Sequence, residues 1–155
     1  MKLAEALIER AETKKRLASI ASRMNENAIT EEGETPDEAV ADLRHLYEHT
    51  MDEMNTLICR INKTNHETKL GDISLADAIA KRDCIKSKIN VYRELKQTAV
   101  KKGHASGFGR WGETGVKIVR TVDTAELQKS IDKLSREYRE LDTNIQRFNW
   151  NVELL

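Results

Sequence analysis

With 155 residues, the chain is long enough for one hydrophobic core and short for two independent domains, so one helical domain over 1–155 is expected. Hydrophobic residues at 39%, charged residues at 34%, a single proline and a mean hydropathy of −0.64 describe amphipathic helices with little room for strand. Lysine plus arginine equals aspartate plus glutamate at 26 each, which excludes a global field toward nucleic acid or an anionic membrane; no stretch is apolar enough to span a bilayer, and Glu5 and Glu9 break up any signal-peptide core, so a cytoplasmic protein without a membrane partner is expected.

From Leu3 to Met24, apolar residues recur every third or fourth position at Leu3, Leu7, Leu17, Ile20, Ala21 and Met24, which predicts a first helix over about 2–25. Arg10 falls in line with that stripe, where a charge needs a carboxylate partner. An acidic segment broken by Gly33 follows, with a short extended stretch at Ala28, Ile29 and Thr30. Thr35, Pro36 and Glu38 then combine a cap, a first-turn proline and a capping-box glutamate. They predict a second helix over 36–66, with Val40, Leu43, Tyr47, Met51, Met54, Leu57, Ile58 and Ile61 on its apolar face.

His45 and His49 stand one turn apart beside Glu48, Asp52 and Glu53, the best metal-ligand spacing in the chain. Both point away from the Val40–Tyr47–Met54–Ile61 seam, and two ligands do not close a zinc site, so no metal and no cofactor are expected. Asn62 and Asn65 read as polar residues that end the helix, and Cys59 and Cys84, without a CxxC or a histidine partner, as free thiols.

Gly71 breaks the pattern, Ser74 and Asp77 form a second capping box, and Ile73 stands at a staple position, so a third helix is predicted over 74–101. Leu75, Ile79, Ile85, Ile89, Tyr92 and Leu95 mark its buried face, and Arg82 falls on that stripe and calls for a carboxylate.

The loop 103–115 holds five of the seven glycines, and its GFGRWG stretch, Gly107 to Gly112, matches the phosphate-cradling pattern G-x-G-x-x-G. That pattern works when a strand leads in and a helix leads out, so that a helix N-terminus faces the phosphate. Here a helix leads in and the β-branched segment 116–122 leads out, so the loop reads as a connection. The cations Lys101, Lys102, Arg110, Lys117 and Arg120 interleave with Phe108 and Trp111, and these seven are the candidate contacts to a partner or to nucleic acid. A strand over 116–122 needs a partner, either the Asn27 to Thr30 segment or the same strand of another subunit.

Asp123 and Glu126 form a third capping box, with Val122 and Leu127 at staple positions, before a helix over 124–148. Leu127, Ile131, Leu134, Tyr138, Leu141, Ile145 and Phe148 alternate spacings of four and three, a coiled-coil-like seam that requires a facing helix. Trp150 and Val152 in the tail are expected to dock on the bundle.

The predicted fold is therefore mainly α: long antiparallel hairpins of four helices in a coiled-coil-like bundle, with a small β element near 116–122. No Ser/His/Asp or Cys/His spacing stands out, so no catalytic residue is assigned and an enzyme is not the favoured reading. The expected role is structural or interactive, in a homo-oligomer: a dimer or a higher even-numbered assembly such as a hexamer. Nucleic-acid binding through 101–120 is the alternative.

The segments LAEALIERA, CRINKTN, DAIAKRD, KIVRTVDTAELQKSIDKL and ELDTNIQRFNW together resemble the small bacterial proteins labelled septicolysin. That resemblance implies a helical hairpin with a small β element, a self-associating assembly and no catalytic residues to carry over. Its label implies a cytolysin, although no apolar run here exceeds three residues, far short of a membrane segment.

Overall fold

The computed structural model describes residues 1–105 and 120–155, with 102–105 as helix backbone alone. In chain order its elements are α1 (Leu3–Glu26), α2 (Val40–Glu67), β1 (Lys69–Leu70), β2 (Ile73–Ser74), α3 (Leu75–Ala105) and α4 (Thr124–Asn151). This is the mainly α class that composition predicts, four long helices with one small antiparallel sheet. The described residues group into two compact units, Met1–Ala76 with Gln146–Leu155, and Asp77–Ile145.

In the first unit α1 packs against α2. The buried residues follow a seven-residue spacing, with Ala6, Thr13 and Ile20 on α1 and Leu43, Thr50, Leu57 and Thr64 on α2. Two of those on α2 are threonines on an apolar stripe. Their hydroxyls donate back to carbonyls one turn earlier, Thr50 to Leu46 at 2.7 Å and Thr64 to Arg60 at 2.8 Å, so neither carries an unmet donor into the core. Arg10 is exposed and stays out of the core.

α2 starts at Val40 and not at Pro36, for a physical reason: Glu38 is engaged elsewhere. Its backbone N–H donates to Asn27 Oδ1 at 3.0 Å and its carboxylate accepts from Arg23 Nε at 2.7 Å and from the same guanidinium's second nitrogen, so it cannot close a capping box with Thr35. Residues Ala28 to Thr30 carry no strand.

The sheet lies where the sequence shows a glycine break. Lys69 pairs with Ser74 and Leu70 with Ile73 in an antiparallel hairpin closed by Gly71 and Asp72. Gly71 has φ of +67°, the left-handed backbone that a two-residue hairpin turn asks for and that a side chain disfavours. Of the strand expected over 116–122, residues 116–119 lie outside the described residues and Arg120 to Val122 are not strand.

The C-terminal segment completes this unit. Leu3 N–H donates to the Val152 carbonyl and Leu154 N–H to the Met1 carbonyl, both at 2.9 Å, and Leu155 N–H donates to Thr64 Oγ1 at 3.0 Å. Leu154 is the tail residue that docks, whereas Trp150, expected to dock, is 56% exposed. With Trp150 at the end of α4 and Leu154 beyond it, the backbone bridge between Lys2 and Glu153 selects which side chain turns inward.

In the second unit, Lys81 and Arg82 near the start of α3 pair with Glu137 and Asp142 on the later half of α4, and Lys96 further along α3 pairs with Gln128 near the start of α4, which makes α3 and α4 antiparallel. Ile85, Ile89 and Ile131 form its buried cluster, with Tyr92, Leu127, Leu134, Tyr138 and Leu141 packed against it and only half-buried. Asp123 caps α4 as its sequence position predicts: its Oδ1 accepts from the N–H groups of Ala125 at 2.7 Å and Glu126 at 3.1 Å.

Candidate functional site

The candidate residues of the sequence analysis do not converge on one point. Phe108, Arg110, Trp111 and Lys117 lie outside the described residues, as does the side chain of Lys102. Lys101 and Arg120 are exposed. His45 and His49 are 75% and 74% exposed, each near one glutamate, Glu48 at 4.0 Å and Glu53 at 3.6 Å. Among the described residues no three histidine, cysteine, aspartate or glutamate side chains come together as a metal site. Cys59 and Cys84 are exposed and unpaired.

Arg82 finds the carboxylates that its place on an apolar stripe requires. Its guanidinium donates to Asp142 at 3.1 Å and contacts Asp83 at 2.8 Å. Burial works against its charge, but hydrogen bonds to Asp83 and Asp142 outweigh that cost and raise its pKa above the ordinary arginine value. It ties α3 to α4 and presents no free donor set to solvent.

What the sequence reading missed is a groove between α3 and α4 of about 650 Å³, lined by Arg93, Lys96, Lys101, Asp132, Ser135 and Arg139 among others. A smaller cavity of about 250 Å³, lined by Lys86 and Tyr138, shares Arg93, Ser135 and Arg139 with it. The pattern behind it is helical. Lys86, Arg93 and Val100 are seven apart on α3, and Gln128, Asp132, Ser135 and Arg139 recur at fours and threes on α4, beside the apolar seam. Each set alone looks like an ordinary solvated face; only antiparallel pairing of the two helices sets cation against cation.

The electrostatics of this groove are one-sided. Lys96 donates to Gln128, and Gln128 donates in turn to Asp132 at 2.7 Å, so the groove's single carboxylate is already engaged. Lys86, Arg93, Lys101 and Arg139 form no ion pair with any described residue. Ser135 lines both cavities, but its hydroxyl oxygen is itself buried and has no hydrogen-bond partner.

A crystal structure of a functionally unknown conserved protein from Corynebacterium diphtheriae is similar to 100% of this chain over 99% of its own, with a TM-score of 0.90 and 33% identity. No curated protein matches the chain. These findings overturn the resemblance to septicolysin-labelled proteins, and the cytolysin implied by that label goes with it. The model of the Family of unknown function (DUF6847) matches residues 10–154, and the chain belongs to that family.

Proposed function

We propose that the chain is a homo-oligomeric interaction protein of the cytoplasm, in which the α3–α4 hairpins of two copies complete a four-helix bundle. The observation that carries this reading is the state of the α4 seam. Leu127, Leu134, Tyr138 and Leu141 remain half-buried against the buried cluster of Ile85, Ile89 and Ile131. A hairpin is a single layer, and two packed layers are what normally close a helical core. Val91 and Leu95 add exposed apolar surface on α3. A formal net charge of zero sets no long-range repulsion against a second copy. Exposed, unpaired Cys59 and Cys84 suit a reducing compartment.

Light scattering on the full chain tests this directly. A mass at a multiple of 17.7 kDa is expected, reduced to one chain by Leu134→Glu with Leu141→Glu while the helical circular dichroism persists. A wild-type mass of one chain at high protein concentration would reject the proposal.

A further inference from the structure

We propose that the α3–α4 groove binds a small, multiply charged phosphate compound, held at the point where the two cavities meet by the guanidinium groups of Arg93 and Arg139. Two observations converge there. The first is charge: Lys86, Arg93, Lys96, Lys101 and Arg139 line the joined cavities against one carboxylate, Asp132, in a chain whose overall charge is balanced. Four of those cations lack an ion-pair partner among the described residues, so an anion entering the groove displaces no internal carboxylate.

The second is shape. A cavity of about 650 Å³ lies within the range of small-molecule sites, and it exceeds the needs of a single inorganic ion. Two arginines shared by both cavities supply planar donor forks, which match phosphate oxygens two at a time, and the lysines supply point charges toward the ends. The inference does not rest on self-association, since every lining residue belongs to one chain.

The test is isothermal titration of the full-length protein with inorganic tripolyphosphate and, separately, with ATP, each at low and at physiological ionic strength. Its oligomeric mass is measured on the same sample, so that loss of assembly and loss of binding are read apart. Saturable binding is expected, weakened by salt and weakened at least about tenfold by Arg93→Gln with Arg139→Gln. Both arginines are exposed, so the variant keeps its fold, checked by circular dichroism. A matched change of charge in the other unit, Arg44→Gln with Lys63→Gln, leaves the binding intact. Equal affinity for both probes assigns recognition to the phosphate chain alone, and tighter ATP binding assigns it to an organic phosphate; either supports the site. No heat at low salt, binding indifferent to the arginine pair, or binding of an RNA oligonucleotide without tripolyphosphate would overturn it.

Discussion

The two units are built from helices of similar length and spacing, yet the residues along their seams are buried to different depths. In the α1–α2 unit Leu3, Ala6, Ile20 and Ile61 are at most 1% exposed, and the C-terminal segment is stitched across the start of α1 and the end of α2. In the α3–α4 unit Leu127, Leu134, Tyr138 and Leu141 are only half-buried, while each unit leaves one buried polar atom without a partner, Ser135 Oγ here and Asn149 Oδ1 there. The difference teaches that heptad spacing sets which faces meet but not whether the core is finished. A finished core needs a third piece. The first unit has one in its own tail, and the second offers the surface on which one would sit.

The comparison breaks most sharply under large-to-small substitutions. Ile61→Ala empties a closed core and is expected to cost about 2–5 kcal/mol by chemical denaturation. Leu134→Ala, at a half-buried position, is expected to cost only about 1 kcal/mol in the separated chain, while raising the concentration at which chains associate. Equal losses at the two positions, with association untouched, would erase the distinction between the units. Thr64 sharpens the account of the tail, because its Oγ1 accepts from Leu155 N–H and donates to Arg60. Thr64→Val keeps the shape, loses both bonds, and is expected to cost about 1–2 kcal/mol, with faster hydrogen exchange at Leu154 and Leu155. Asp123→Ala removes two bonds to the start of α4 and is expected to cost about 1 kcal/mol, seen as fraying of residues 124–127.

The smallest effect is one of pH. The Lys2 ammonium, at 2.6 Å, and the Met1 ammonium, at 3.2 Å, hold Glu153 below the ordinary carboxylate value of 4.5, and a hydrogen bond from Arg23 does the same for Glu38. A depressed carboxylate contributes stability that is fully present above its unfolded value and lost as pH falls through its folded one. The tail is therefore expected to loosen as pH drops below about 4.5, read from exchange at Leu3 and Leu154. Glu153→Gln should be looser at neutral pH and should lose part of that acid dependence.

Much of the helical architecture was legible because periodicity is a local property. The Asp123 cap, the α4 seam and the carboxylate requirement of Arg82 could each be read from one segment. What escaped notice depended on residues far apart. Glu38 reads as a capping residue until Arg23, fifteen positions back, claims it. Trp150 reads as the docking residue until the backbone bridge to Lys2 turns Leu154 inward. The groove was hidden for the same reason, since Arg93 and Arg139 come from different helices and share a wall only when the hairpin closes.

The central claim is that the α3–α4 unit is completed by a second copy while the α1–α2 unit is complete alone. Hydrogen exchange, followed by mass spectrometry as protein concentration crosses the association midpoint, measures both units at once. Protection is predicted to rise with concentration across 77–101 and 124–145 and to stay constant across 3–26 and 40–67. Protection that is independent of concentration in both units, or that rises only in α1 and α2, would contradict it.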